Sequence, residues 1–170
     1  MKRIAILLFI LLPFFMKAQD HTIGLGTGIS SLGIPPMNLN FQFSFKSFNT
    51  KAKLTYFPVG LYVSGDIFTN DYFIGIKTKE DKPVIVSFNA GASYLFYLTQ
   101  TPNLDISDQV NPVVNLNIYT ALNQNHRITT DFTISRYNFL YSPRAYKASS
   151  IYITIEVGYA YRFKKKIKAN

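Results

Sequence analysis

The chain of 170 residues contains no cysteine and only two histidines. Without cysteine it can form no disulfide scaffold, no thiolate metal site and no lipoprotein anchor. No stretch after the N-terminal segment approaches the roughly 18 consecutive apolar residues that a membrane-spanning helix requires. These absences exclude a disulfide-stabilised module, a lipoprotein and a helical membrane protein.

The N-terminus has the parts of a secretory signal peptide. Two basic residues precede an apolar stretch at 4–15, which is too short to cross a membrane as a helix, and Ala18 follows. We predict cleavage after Ala18, so that residues 1–18 are removed; a retained N-terminal anchor is the alternative. Loss of the three basic residues in this segment lowers the formal net charge from +9 to +6. Because the remaining basic residues lie mostly at predicted turns of an exported chain, we expect no nucleic-acid binding.

Apolar and polar residues alternate along several segments of the mature chain. Between Met37 and Lys46 every odd position is large and apolar, and every even position is polar. Only a β-strand, whose successive side chains point to opposite faces, separates two such sets. Most such segments reach the 9–11 residues that a tilted strand needs to cross a bilayer. We predict eight strands, at 22–30, 37–46, 51–63, 71–78, 84–98, 112–122, 127–138 and 150–163.

The connections between these strands alternate in length. Short polar turns are predicted at 47–50, 79–83 and 123–126, and mostly longer loops at 31–36, 64–70, 99–111 and 139–149. This alternation is typical of an antiparallel up-and-down barrel of the bacterial outer membrane, with the short turns and both termini on the periplasmic side. Most basic residues, among them Lys51 and Lys53, are predicted to form a rim at that side, whereas Asp71 is grouped with the longer loops.

The composition of the polar faces distinguishes a membrane barrel from a soluble one. In the second, fifth, seventh and eighth strands the polar face holds mainly small hydroxyl and amide residues, whereas a water-exposed face would carry more lysine and glutamate. The apolar faces of the fifth and eighth strands are aliphatic in the middle and aromatic toward one end, as expected of lipid contact with interfacial girdles. We therefore predict an eight-stranded antiparallel transmembrane barrel with its apolar side chains outward. A soluble exported β-barrel that encloses an apolar ligand is the alternative.

Several charged residues have the parity that points into this barrel. Asp131, Glu156 and Arg162 lie on the neighbouring seventh and eighth strands, and Lys46 on the second strand is a further candidate. Because an unpaired charge in a narrow interior is costly, we predict that these four residues form a polar network that plugs the lumen.

Three other basic residues are predicted near the outer end of the barrel. Arg136 has the outward parity on the seventh strand, and Arg144 and Lys147 follow in the next loop. We predict that they contact the phosphates of lipopolysaccharide through charge-assisted hydrogen bonds.

The histidines, His21 and His126, indicate no enzyme. They do not have the HExxH spacing of a zinc site. A serine hydrolase would need His126 beside a serine and a carboxylate, but the nearest along the chain, Asp131 and Ser135, are predicted to point into the lumen. We expect no metal, no cofactor and no catalytic activity.

A family resemblance follows from the junction of Ala18 and Gln19, the alternating strands, and the closing segment from Gly158 to Phe163. These features resemble small outer-membrane β-barrel proteins of the Bacteroidota, a group that includes the PorT-like barrels. The resemblance assigns residues 19–163 to the barrel and 164–170 to a basic periplasmic tail. It also implies insertion by the barrel-assembly machinery, because the aromatic closing segment is similar to the signal that this machinery reads.

Together these predictions describe a small outer-membrane protein with a structural or surface-interaction role. Its expected partners are outer-membrane lipid and lipopolysaccharide, and a protein partner for the loops at 64–70, 99–111 and 139–149. A lipid-modifying enzyme of the outer membrane would instead need a histidine-containing constellation on the lipid-facing surface, and the sequence indicates none.

Overall fold

The computed structural model of the protein describes residues 20–31, 33–58, 67–79, 82–97, 109–141 and 146–164. These residues form eight strands: β1 (Asp20–Ser30), β2 (Met37–Phe45), β3 (Phe48–Phe57), β4 (Ile67–Lys77), β5 (Val84–Tyr97), β6 (Gln109–Ala121), β7 (His126–Tyr141) and β8 (Tyr146–Lys164). Each strand pairs antiparallel with the next, and β8 pairs with β1, so the sheet closes into a barrel. The predicted eight-stranded up-and-down barrel is confirmed.

The described residues do not cover every predicted segment. The predicted signal peptide and nearly all of the predicted basic tail lie outside them. No helix in the described part of the chain is long and apolar enough to cross a membrane.

Strands β3 and β4 begin three and four residues earlier than the sequence predicts. Phe45 pairs directly with Phe48, so the predicted turn at 47–50 belongs mostly to β3. Lys46 has a φ of 52°, the left-handed conformation that a tight hairpin turn requires. β4 begins at Ile67, inside the segment that is predicted to be a loop.

The connection between β7 and β8 differs most from its prediction as a loop at 139–149. Both strands continue through most of this segment as a hairpin. β6 pairs with β7 only as far as Ser135, and β1 pairs with β8 only as far as Thr154. In the described strand pairings, residues 136–141 and 146–151 therefore pair only with each other, and we call these two segments the β7–β8 ribbon.

Each strand has a buried face that lines the lumen and a more exposed face outside. In β2, Asn40 is 2% exposed and the next residue, Phe41, is 40% exposed. In β8, Glu156 is 1% exposed and Ile155 is 38% exposed. Polar side chains therefore lie inside the barrel and apolar side chains outside. This confirms the predicted orientation and is the reverse of a soluble barrel.

The two ends of the barrel have different connections. Short turns join β2 to β3, β4 to β5 and β6 to β7, and Asp20 and Lys164 pair at the same end, which we call the turn end. The opposite end, the loop end, carries the other four connections, at 31–36, 58–66, 98–108 and 142–145.

The lumen as candidate functional site

Two ion pairs cross the middle of the lumen. Lys51 pairs with Asp131 of β7, and Lys53 pairs with Glu156 of β8. All four side chains are at most 3% exposed. Because β3 and β7 lie on opposite sides of an eight-stranded barrel, the first pair spans the width of the lumen. The two lysines point the same way because they are two positions apart on β3.

Neutral side chains also donate hydrogen bonds to the two carboxylates. Asn115 donates from Nδ2 to Asp131 Oδ1 at 2.9 Å, and Asn38 donates from Nδ2 to Glu156 Oε2 at 2.8 Å. Asn115 Nδ2 also lies 3.0 Å from Thr133 Oγ1, which accepts from it. Each carboxylate thus has a cationic and a neutral donor, which offsets the cost of removing it from water.

A second set of hydrogen bonds crosses the lumen in other directions. The Tyr119 hydroxyl of β6 donates to Gln42 Oε1 of β2, the strand opposite. Asn49 donates from Nδ2 to Asn89 Oδ1 at 2.7 Å, and Asn89 donates from Nδ2 to Asn115 Oδ1 at 3.0 Å. Side chains from different strands therefore bond to one another across the interior.

The turn end of the lumen holds a separate ionic cluster. Arg162 forms a bidentate pair with Asp20, with Nη2 at 2.6 Å from Oδ2 and Nε at 3.1 Å from Oδ1. Lys77 and Arg127 are buried close enough to interact electrostatically with this pair. Arg162 therefore belongs to the base of the lumen rather than to the central ion pairs.

An apolar cluster closes the lumen at the loop end, and we call it the apolar cap. It consists of Phe57, Ile67, Leu95 and Tyr152, with Ile34 packed against it. The rings of Phe57 and Tyr152 meet edge to face, with centroids 5.4 Å apart. From turn end to loop end the lumen thus contains an ionic base, the central ion pairs and the apolar cap.

Three of the four residues predicted for the lumen network lie in the lumen, and Lys46 does not. Asp131, Glu156 and Arg162 are buried. Lys46 is exposed in the turn after β2, where its Nζ lies 5.7 Å from the ring centroid of Phe45. Its predicted place in the network is wrong because β2 ends at Phe45, so that Lys46 no longer follows the strand alternation.

The lysines that bind the two central carboxylates are not where the sequence predicts them. Lys51 and Lys53 point into the lumen, and their predicted place in the periplasmic rim is wrong. Asn49, Lys51, Lys53 and Thr55 are polar at alternate positions, and this period of two is the signal that could have identified them. Asp71 is also inside, buried in β4, and accepts from the Ser93 hydroxyl at 2.5 Å.

The residues predicted to contact lipopolysaccharide are only partly described. Arg136 is exposed on the outer face of β7, as predicted. The backbone of Lys147 pairs with Leu140 in the β7–β8 ribbon, but its side chain lies outside the described residues, as does all of Arg144. Within the described ranges, no group of three or more histidine, aspartate or glutamate side chains could hold a metal ion.

Comparison with known proteins gives matches in fold only. No protein family and no curated sequence matches the chain. A major outer membrane protein from Thermus thermophilus matches with a TM-score of 0.60 and 15% identity, covering 85% of this chain and 99% of that one. OprG from Pseudomonas aeruginosa matches with a TM-score of 0.57 and 11% identity, covering 88% and 98% of the two chains. The outer membrane enzyme PagL matches with a TM-score of 0.54 and 9% identity, covering 82% and 97%.

At these identities the comparisons establish the fold. A closed eight-stranded barrel with a polar interior and an apolar exterior is the fold of the small transmembrane barrels of the outer membrane. Closure pairs the backbone groups around the circumference, so that hydrocarbon can surround the strands. The protein is therefore a small β-barrel of the outer membrane.

Proposed function

We propose that the protein is a non-catalytic barrel with a plugged lumen, which acts at its loop end as a structural or surface-interaction protein. The observation that carries this proposal is the pair of ion bridges from Lys51 and Lys53 across the lumen. They occupy the centre of the only channel that a single barrel could offer, and the apolar cap lies above them. A function at the surface then remains for the loops and the β7–β8 ribbon.

Conductance in planar lipid bilayers tests the plug. Breaking a buried ion pair costs several kcal/mol, because each charge loses its partner. The two central ion pairs are therefore expected to stay formed and to block the lumen. Purified protein should therefore give no current steps above those of the bare bilayer, while flotation with liposomes shows that it has inserted. Stable ion currents from the inserted wild-type protein would contradict the plug.

The fold alone does not indicate whether the protein is an enzyme, because the outer membrane enzyme PagL has a similar fold. We therefore base the absence of catalysis on the side chains of this protein. Among the described residues, the ring of His126 is hydrogen-bonded to the phenol of Tyr159, and no serine or carboxylate is bonded to it. This arrangement lacks the nucleophile and orienting acid of a hydrolase triad.

The β7–β8 ribbon supports a role in binding lipopolysaccharide. The sequence from 136 to 150 contains three basic residues and no acidic residue. Pairing of its two strands continues this basic segment toward the loop end, beyond the last residues that pair with β6 and β1. Phosphate groups are the anions that guanidinium and ammonium groups bind through charge-assisted hydrogen bonds.

Binding to lipopolysaccharide micelles tests this role. The test variant replaces three residues by glutamine: Arg136, Arg144 and Lys147. The matched control replaces three exposed lysines of the turn end by glutamine: Lys46, Lys79 and Lys82. We expect the test variant to bind at least about tenfold more weakly than the control, since each lost charge-assisted bond contributes about one decade or more in affinity. Equal binding by the two variants would contradict the role of the ribbon.

Further parts of the proposal concern protein partners and origin. The loop at 99–111 is proposed to meet a protein partner, and the barrel-assembly machinery is proposed to insert the chain. Photocrosslinking from residue 105 in intact cells, with residue 124 as the turn-end control, should capture a partner only from the loop end. Capture of the same proteins from both positions would contradict a specific surface partner.

The assignment to PorT-like barrels of the Bacteroidota rests on the closing segment and remains part of this proposal.

A further inference from the structure

Both histidines of the chain lie on the outer face of the barrel at its turn end, in one band of rings. Ring contacts or direct strand pairing join its members across β2, β1, β8 and β7 in this order: Phe43, His21, Phe163, Tyr161, His126 and Tyr159. The histidine and tyrosine rings are the polar members of this otherwise apolar band. Aromatic bands with polar groups lie at the depth of lipid head groups in membrane barrels.

Two polar contacts on β7 and β8 each leave one hydrogen-bond donor that the contact itself does not use. His126 Nδ1 and the Tyr159 hydroxyl form a hydrogen bond. This pair has two hydrogens on its polar atoms, one imidazole N–H and one phenol O–H, and the bond uses only one of them. One donor is therefore left for either tautomer of His126.

The neighbouring tyrosine contributes a second donor. Asn125 donates from Nδ2 to the Tyr161 hydroxyl oxygen at 3.2 Å, so the hydroxyl hydrogen of Tyr161 is not used by that bond. The ring of His126 lies 5.3 Å from the Tyr161 ring and 5.7 Å from the Tyr159 ring, between centroids. One donor therefore belongs to the His126–Tyr159 pair and the other to Tyr161, whose ring adjoins the same imidazole.

The turn before β7 holds this arrangement in place. Asn123 Oδ1 accepts from the backbone N–H groups of Asn125 and His126, each at 2.9 Å. The backbone oxygen of Asn125 accepts from the N–H of Arg162 at 2.7 Å, which ties the turn to β8. A fixed turn means that little conformational entropy is lost when a ligand meets the donors.

No acidic side chain of the described residues lies on this part of the outer face. The turn residues 122–125 are uncharged, and the nearest carboxylates along β8 and β1, Glu156 and Asp20, point into the lumen. Two donors on adjoining rings without a competing carboxylate are suited to an anion. Exposed apolar side chains adjoin them on the loop-end side, including Ile128 at 41% and Val157 at 57% exposure.

We propose that His126, Tyr159 and Tyr161 form a binding site for the phosphate of a phospholipid in the membrane leaflet at the turn end. The donors hold the phosphodiester, and the acyl chains lie along the apolar face formed by Ile128 and Val157. The adjoining apolar face favours a lipid over free phosphate, since only a lipid uses both parts of the surface.

Native mass spectrometry of the mature protein, folded in detergent micelles, tests this site with phosphatidylglycerol as the probe. Tyr161→Phe removes one donor and keeps the ring, and the double variant His126→Leu with Tyr159→Phe removes the other. Tyr72→Phe is the matched control, because Tyr72 is exposed by 42% on the outer face of β4, far from the site. We expect each test variant to bind phosphatidylglycerol about tenfold more weakly than wild type and Tyr72→Phe to bind as wild type does.

Diacylglycerol and inorganic phosphate separate the two parts of the proposal. Diacylglycerol lacks the phosphate, so it should bind weakly and equally to wild type and the Tyr161→Phe variant. Inorganic phosphate at millimolar concentration should not displace the lipid. The proposal is overturned if Tyr161→Phe binds phosphatidylglycerol as tightly as Tyr72→Phe does, if diacylglycerol shows the same losses, or if free phosphate displaces the lipid. The shifted gel mobility of the folded barrel confirms that each variant is folded.

Discussion

Replacement of Asp131 by asparagine would leave the Lys51 ammonium group in the middle of the lumen without its carboxylate. The Lys51 side chain is 0% exposed, so water cannot take the place of that carboxylate. Loss of one partner from a buried ion pair typically lowers the free energy of unfolding by about 3–5 kcal/mol. Asparagine has nearly the volume of aspartate, so a cavity contributes little to this loss. We therefore expect Asp131→Asn to destabilise the barrel by about 3–5 kcal/mol.

A double variant separates the ion pair from the packing of the lumen. Lys51→Met with Asp131→Asn removes both charges and keeps side chains of similar volume. Removal of both charges of a buried pair costs much less than removal of one, because the cost of desolvating the two charges disappears together with their attraction. We expect the double variant to lie within about 2 kcal/mol of wild type, although each charge removed alone is costly.

Unfolding by urea in phospholipid vesicles measures these differences, with circular dichroism as the signal because the chain has no tryptophan. Lys46→Met is the control, since it makes the same exchange in an exposed turn and should change stability by less than about 0.5 kcal/mol. The reasoning is refuted if Asp131→Asn costs no more than this control. It is also refuted if the losses of the two single variants simply add in the double variant.

Three further predictions concern the wall, the cap and the ribbon. A Cβ added at Gly91 would overlap the backbone carbonyl oxygen of Tyr72, so Gly91→Ala should lower stability by about 1–3 kcal/mol in the same urea assay. Phe57 is 4% exposed in the apolar cap, and Phe57→Ala should cost about 3–5 kcal/mol; unchanged stability would mean that the cap is not packed. Amides of 137–141 should exchange with deuterium faster than those of 127–135, because these residues of the ribbon do not pair with β6. Equal protection of the two segments, measured by mass spectrometry, would contradict the strand pairing.

The strands and their two faces are predictable because alternation is a local property of the sequence. For the strand from Met37 to Phe45, parity alone predicts the correct faces, since the even-numbered residues are the buried ones. The end of this strand is less predictable. Lys46 continues the alternation in sequence, but the left-handed turn at that residue removes it from the sheet.

The partners within the lumen could not be predicted, because they depend on closure of the sheet. Lys51 and Asp131 are far apart in the chain and on strands that never pair, so neither spacing nor local parity connects them. Only closure with a defined register brings β3 opposite β7. Tyr119 and Gln42 meet across the lumen for the same reason.

Closure also explains why large and small side chains are divided between different walls of the lumen. Bridging side chains extend from β2, β3, β6, β7 and β8, whereas β1 contributes Gly24 and Gly26. A Cβ at Gly24 would lie 2.8 Å from Asn40 Oδ1, and one at Gly26 would lie 2.8 Å from Asn38 Nδ2. Asn38 donates to Glu156, so the space over Gly26 is needed for the hydrogen bonding of a central ion pair. Glycine on β1 therefore leaves room for the asparagine side chains of the neighbouring strand β2, one of which hydrogen-bonds a carboxylate of the central ion pairs.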